Sequence, residues 1–337
     1  MWMMGLLGLL ACRIERGASD VAPEAVLSAK PEGEVWIYTS MYQSVIDDMD
    51  PKLRARYPGI EPRWFQAGSE KVAQRVEAEW EAGGSEACVL LTSDPFWYMD
   101  LVRRDKLQPY LTKNVLHVPR EYVDPDGHWT TVRLSLMVMA KHPENLLSVN
   151  GFSDLLRPEV SRVASMGDPL ASGTMFTTLA FWLDQSGWER VSTLRKQEFL
   201  ASGGNSSVLT RVETGERPVG VLLLENLLAA KRKDSKVEIL YPNDGAIVIP
   251  GPVAITAQCA NPTAARAVVD FLLSEEGQTA IVAGDMYAAL PELPPPVGAK
   301  ALSEIPLAPW TLPFSKNALE NRDAWKQRYA ELGSETP

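Results

Sequence analysis

The chain has 337 residues, 45% of them hydrophobic and 23% charged, so disorder, collagen and coiled coil are excluded as its main architecture. Its formal net charge of −10 argues against non-specific nucleic-acid binding, which depends on Lys and Arg neutralising phosphates. Three cysteines and three histidines, with no CxxC or HExxH spacing, leave too few ligands for a structural zinc fold. No phosphate loop, dinucleotide fingerprint or GxSxG elbow occurs either.

Met1 to Ala11 (MWMMGLLGLLA) is almost wholly apolar, and Cys12 and the polar stretch RIERGASD follow. The run is too short for a bilayer span, which takes about 20 residues, and has the length of a secretory signal core. Leu9-Leu10-Ala11-Cys12 resembles a bacterial lipobox, although no Lys or Arg precedes it. Residues 1–12 are therefore read as a lipoprotein signal with Cys12 as the lipidation site, and residues 13–33, rich in Ala, Glu, Pro and Ser, as a tether. In the oxidising compartment this implies, Cys88 and Cys259 remain, and both are expected to be buried thiols rather than a bridge.

The folded body opens with a strand over Glu34–Thr39. A helix over Tyr42–Tyr57 follows, its apolar stripe being Val45, Ile46, Met49 and Leu53 and its stop Pro58-Gly59. A strand over Ile60–Phe65, a helix over Glu70–Ala82, a strand over Ala87–Leu91 and a helix over Phe96–Arg104 continue the alternation. Strand–helix repetition of this kind indicates a parallel sheet with helices on both faces. A second such unit contains strands at Val163–Met166, Val219–Leu223 and Val237–Tyr241 and helices at Thr174–Gln185 and Glu225–Lys233. Between the units, Thr131–Ala140 reads as an extended segment crossing from one to the other, and Ala246–Ile255 as one crossing back. The helix Pro262–Leu273 rejoins the first unit, Leu293–Val297 is a stiff connector, and Ala318–Leu332 is a C-terminal helix. Two lobes joined by two crossing segments form a hinge around a cleft.

Several residues read as candidate ligand contacts on their own chemistry. Ser172-Gly173-Thr174 opens a helix, where free N–H groups and hydroxyls suit a phosphate or carboxylate, unless it is only a cap. Ser69, within Ala67-Gly68-Ser69-Glu70, either caps its helix or faces the cleft. Ser40 and Ser93 fall beyond strand ends, where open α/β sheets bind ligands, while Thr92-Ser93-Asp94-Pro95 also reads as a turn and cap. Gly203–Ser207 reads as a flexible polar loop. Glu225 either caps a helix or points into the cleft. Arg133, on the first crossing segment, either meets an anion or pairs with an Asp. Among the aromatics Trp36, Trp64, Phe96, Trp97 and Tyr98, most belong to the core, with Tyr42, Trp97 or Tyr98 as candidates to stack on a ligand ring. His117, His128 and His142 read as surface residues.

Taken in order, YTSMYQSVIDDM, YPGI, WFQAGSEKVAQRV, LLTSDPFWYMDL, GDPLASGT and IVIPGPVAI resemble bacterial extracellular solute-binding proteins of ABC importers, nearest the ferric-ion-binding and hexose-phosphate-binding class. The resemblance covers about Glu34 to Gly284. It implies a two-lobed type II periplasmic-binding-protein fold of class α/β, each lobe a mostly parallel sheet flanked by helices, with residues 34–133 plus 250–290 in lobe 1 and 134–249 plus 291–337 in lobe 2. It implies ligand contacts at Ser40, Met41 and Tyr42, at Ser93 and Asp94, at Ser172, Gly173 and Thr174, and at Asn205, Ser206 and Glu225, with Ser69 added from its own helix start. The iron-binding members carry a tyrosine pair where this chain has Leu223, Leu224, Glu225 and Asn226. The expected solute is therefore a small phosphorylated polyol, a sugar or inositol phosphate, with ferric iron on Asp94 and Glu225 as the alternative. No enzymatic activity, cofactor or nucleic acid is expected. The expected partners are an inner-membrane ABC permease and the membrane through the lipid alone, with the chain a monomer in the periplasm. Two other classes are weaker: a hydrolase using Asp94 and Glu225 as acid and base has no nucleophile beside them, and a sensor subunit would share the fold.

Overall fold

The computed structural model describes residues 30–334, so Cys12 and the signal and most of the tether read from the sequence lie outside the described residues. The first block contains β1 (Gly33–Thr39), α1 (Gln43–Arg56), β2 (Ile60–Gln66), α2 (Ser69–Glu81), β3 (Ala87–Leu91), α3 (Pro95–Arg103) and β4 (Leu107–Gln108). The long strand β5 (Thr130–Lys141) leads to β6 (Ala164–Met166), α4 (Gly173–Lys196), β7 (Leu200–Ala201), α5 (Asn205–Glu213), β8 (Val219–Leu223), α6 (Leu224–Lys231) and β9 (Glu238–Leu240). The second long strand, β10 (Ile247–Thr256), returns to α7 (Pro262–Leu272), α8 (Glu275–Ala283) and β11 (Tyr287–Ala288), and α9 (Leu312–Ser334) closes the described chain.

Along the sheet the order is β2-β1-β3-β10-β5-β8-β6-β7. Pairing is parallel within β2-β1-β3 and within β8-β6-β7. It turns antiparallel where β5 and β10 run beside each other and beside the two blocks. These are the two segments expected to cross, and they join two lobes in a type II periplasmic-binding-protein fold. Both are buried along almost their whole length, hence the continuous apolar runs LSLMVMA and IVIPGPVAI. In α1 the predicted stripe Val45, Ile46, Met49 and Leu53 is the buried face. Together with β1, α7 and α8 it forms one apolar cluster, while Met166, Phe176, Trp182 and Val221 belong to another in the second lobe.

Several elements differ from expectation. Asn205 to Ser207 open helix α5 instead of lying in a loop, because Gly203 turns the chain at φ +69° and Val208 and Val212 then bury one helical face. A further helix, α8, follows α7 after Ser274, whose hydroxyl accepts from Gly277 N and caps it. Helix α4 runs past Gln185 through a kink at Gly187, φ +59°. The last helix begins at Leu312 rather than Ala318 and touches both α3 and α4, so it is not confined to one lobe.

Cys88 and Cys259 form a disulfide, correcting the expectation of two free thiols. Antiparallel pairing of β10 with β3 sets Ile255 opposite Val89, and the turn after β10 then carries Cys259 back over Cys88 with a Cα–Cα distance of 4.4 Å.

Candidate functional site

The C-terminal ends of β1, β2 and β3 form one rim, and those of β6, β7 and β8 form the other. Each of these strands is followed by a helix, so helix N-termini converge from both sides on a cavity of about 280 Å³. Five N-cap residues line it: Tyr42 of α1, Gly68 of α2, Ser172 of α4, Gly204 of α5 and Leu223 of α6. None of the five makes a side-chain cap hydrogen bond. By contrast α3, α7 and α8, whose N-caps stand off the cavity, are capped by Asp94, Asn261 and Ser274. Uncapped N-termini leave backbone donors and partial positive charge directed at the cavity.

Arg133 supplies a full charge there. It is buried, and each of its hydrogen bonds goes to a serine hydroxyl: Nη2 to Ser93 Oγ at 2.6 Å, Nη1 to Ser135 Oγ at 3.0 Å, and Nη2 to Ser40 Oγ at 3.5 Å. Its Nε has no partner among the described residues. Burial pushes its pKa down and Glu225, Tyr42 and Tyr98 push it back up, but a guanidinium stays charged in either case. Opposite Arg133 in the ladder is Gly251, where a Cβ would lie 2.5 Å from Arg133 Cγ, so the glycine makes the room in which the side chain lies.

Glu225, in the first turn of α6, is also buried. Burial raises its carboxyl to about 7, against the opposing pull of its own backbone N–H, the Ser135 hydroxyl and Arg133. Ser135 thus stands between the buried cation and the buried acid. Across the cleft the Tyr42 hydroxyl donates to Asn226 Oδ1 at 2.9 Å, and burial pushes the phenol well above its ordinary pKa.

Ten of the twelve candidate residues line this cavity: Ser40, Met41, Tyr42, Ser69, Ser93, Ser172, Thr174, Asn205, Ser206 and Glu225. On the first rim Ser40 Oγ and Ser93 Oγ are 3.3 Å apart, and Ser93 N donates to Ser69 Oγ at 3.3 Å. On the second, Ser172 Oγ and Thr174 Oγ1 are 3.0 Å apart, Asn205 Nδ2 reaches Thr174 Oγ1 at 3.4 Å, and Asn205 Oδ1 accepts from Leu223 N at 3.1 Å. Gly173 lies behind them, where a Cβ would meet Ser69 Cβ at 3.0 Å and Asp94 Cβ at 3.1 Å.

Asp94 is the correction among the candidates. It is buried away from the lining, accepts from Trp97 N as the cap of α3, and forms an ion pair with Arg322 at 2.7 Å. Trp97 and Tyr98 are core residues: Tyr98 holds the loop after β3 by accepting from Thr92 N at 3.0 Å, and only Tyr42 of the three stacking candidates reaches the cavity.

Gln66, Ser207 and Met286 line the cavity without a sequence signal; Arg133 lines it too, and its position on the crossing segment fits either an anion or an Asp. The signal for Arg133 was its isolation in TVRLSLMVMA, since a charge inside an apolar strand needs either a partner or a task. A second cavity of about 310 Å³ shares Tyr42, Ser206 and Glu225 and reaches Asn226, Asp48 and the Arg232–Asp285 ion pair.

The model of the family described as bacterial extracellular solute-binding protein matches residues 89–314. The chain belongs to this family. A protein of Haemophilus influenzae described as uncharacterized is 22% identical over 267 residues, covering 74% of this chain and 76% of its own. The periplasmic binding protein AfuA of Actinobacillus pleuropneumoniae, solved with fructose-6-phosphate bound, superposes with a TM-score of 0.79 at 20% identity, covering 89% of this chain and 98% of its own. Iron-bound HitA of Pseudomonas aeruginosa superposes with a TM-score of 0.77 at 18% identity, covering 88% and 98%. At these identities the likeness shows the fold, and with the family it makes the chain an extracellular solute-binding protein. Among the described residues no helix is long and apolar enough to cross a membrane.

Proposed function

We propose that the chain is the periplasmic receptor of an ABC importer, held to the membrane by a lipid on Cys12, and that it captures a small phosphorylated polyol such as a sugar phosphate or an inositol phosphate. The observation that carries the ligand reading is Arg133: a buried guanidinium held only by hydroxyls, with a free Nε, in a cavity where five uncapped helix N-termini meet. An anion with several acceptor oxygens satisfies the cation and the backbone donors together. Glu225, Asn205 and Asn226 then face the hydroxyl end of the ligand, as acceptors or amides of the kind sugars require.

The donor set suits ferric iron poorly. Tyr42 is the one tyrosine among the residues lining the cavity, Asp94 is taken by Arg322, the Glu225 carboxyl is raised to about 7 and so is only partly ionised at neutral pH, and Arg133 repels a cation. Among the described residues no group of three or more His, Cys, Asp and Glu is placed to hold a metal ion.

Thermal unfolding of the purified chain against fructose 6-phosphate, inositol phosphate, inorganic phosphate and ferric citrate tests the reading. A ligand at 100 times its Kd stabilises by about 2.7 kcal/mol. Stabilisation by a phosphorylated polyol, lost in Arg133→Met and weakened in Glu225→Ala, is expected. Stabilisation by ferric citrate alone refutes it.

A further inference from the structure

The C-terminal helix α9 lines neither cavity, yet it is tied to the loops that do. Arg322 Nη2 meets Asp94 Oδ2 at 2.7 Å, and Lys326 Nζ meets both oxygens of Glu70 at 2.7 and 2.8 Å. The four side chains are between 3% and 16% exposed, so these contacts are shielded from solvent and salt in a way surface pairs are not. Each acid directly follows a cavity hydroxyl in the sequence: Asp94 follows Ser93, and Glu70 follows Ser69. The two loops are joined to each other by Ser93 N on Ser69 Oγ, and to the cation by Arg133 on Ser93 Oγ. Elsewhere α9 is held by α4 of the second lobe, with a further contact to α3. Phe314 packs on Phe181 of α4 with ring centroids 5.1 Å apart, as well as on Phe96 of α3 at 5.7 Å, Asn317 Nδ2 donates to Asp184 Oδ1 at 2.6 Å, and Arg195 of α4 donates to the Tyr329 carbonyl at 3.3 Å. Arg322 and Lys326 also lie over the ring of Phe176, with Lys326 Nζ 4.8 Å from its centroid.

We infer that Arg322 and Lys326 are positioning residues of the ligand site: through Asp94 and Glu70 they set the Ser93 and Ser69 loops of the first lobe from a helix anchored in the second. The inference rests on the proposed anion site for its effect on affinity, while the loop geometry stands independently of any ligand. Balanced charge explains why α9 places two cations here. An acid left alone at this depth would neutralise or draw its loop toward solvent, and either change shifts Ser69 or Ser93 relative to Arg133. The same connection makes α9 a third link between the lobes besides β5 and β10, so closure of the cleft has to carry or slide this helix.

The test has a ligand-free arm and a ligand arm, both on the whole chain. Hydrogen exchange is followed at residues 67–70 and 92–94 in the wild type, Arg322→Met, Arg322→Lys, and the charge-balanced pair Arg322→Met with Asp94→Asn, which avoids an unpaired buried acid if the single variant folds poorly. Faster exchange at those two loops in Arg322→Met, recovered in Arg322→Lys, with protection elsewhere unchanged, is expected. In titrations with fructose 6-phosphate the same variant should weaken binding by about tenfold, in the range of ordinary coupling energies. Unchanged exchange at both loops in Arg322→Met and in the double variant overturns the inference whatever the ligand does. Faster exchange at the loops in a chain whose wild type binds no phosphate supports the positioning role and refutes the anion reading instead.

Discussion

Replacing Glu225 with Gln probes the electrostatics of the cleft without any ligand. The side chain is 3% exposed and its carboxyl is raised from 4.5 to about 7, first of all by burial. The folded chain therefore holds this proton more tightly than the unfolded chain. Stability contributed by the group is fully present below the unfolded value near 4.5 and is lost as pH rises toward 7. At ~1.4 kcal/mol per pH unit, the loss reaches about 3 kcal/mol at pH 8 and stays below about 1 kcal/mol at pH 5. Gln keeps the shape and the hydrogen bonding to Ser135 and carries no charge. Urea unfolding followed by tryptophan fluorescence should show Glu225→Gln more stable than the wild type by about 3 kcal/mol at pH 8 and nearly equal to it at pH 5. An equal difference at both pH values would refute the reasoning, since it would mean that the carboxylate is solvated or fully neutralised by Arg133 in the folded state.

Three further outcomes follow from the same geometry. Gly251→Ala places a methyl 2.5 Å from Arg133 Cγ and 2.9 Å from its Nε, so phosphate-ester affinity measured by calorimetry should fall about tenfold through displacement of the guanidinium; unchanged affinity would remove Arg133 from the anion site. Cys259→Ser opens a link spanning 171 residues and should lower stability by about 2–5 kcal/mol in denaturant titrations, whereas equal stability would argue that the thiols are unpaired in solution. A phosphate held on Arg133, across Ser135 from Glu225, engages the cation that otherwise favours the carboxylate, so binding raises the Glu225 carboxyl further and takes up a proton, and affinity should fall as pH rises above about 7 in the wild type and be flatter in Glu225→Gln. Affinity that rises with pH over this range would contradict the placement of the anion.

Local pattern carried much of the architecture. The stripe in α1, the apolar strands β1, β3 and β8, and the two long runs that became β5 and β10 are set by periodicity and by the need of a doubly covered strand to be apolar throughout. Once strands and helices alternate, the strand-end rim follows from topology, which is why Ser40 and Ser93 were legible there, whereas Ser172 was flagged by its helix start and Asn205 by the family resemblance. What remained hidden depends on residues far apart in the chain. Asp94 reads locally as a polar residue at a strand end, and only the arrival of Arg322, 228 positions later, turns it away from the cavity. Cys88 and Cys259 look like two small hydrophobes until the β3–β10 register brings them together. Helix α5 was masked by Gly203-Gly204-Asn205-Ser206-Ser207, whose turn is confined to Gly203 and the N-cap Gly204 while Asn205 to Ser207 already form the first turn of the helix that buries Val208 and Val212.

Short-range periodicity and chain order therefore suffice for the strand–helix alternation, the two crossing strands and the serines beyond the strand ends. Only the tertiary structure decided the charges. Whether Arg133 meets an acid or three serine hydroxyls, whether Asp94 faces a ligand or an arginine, and whether Glu225 is ionised all depend on which side chains the folded sheet brings within a few ångströms and how completely it excludes water from them.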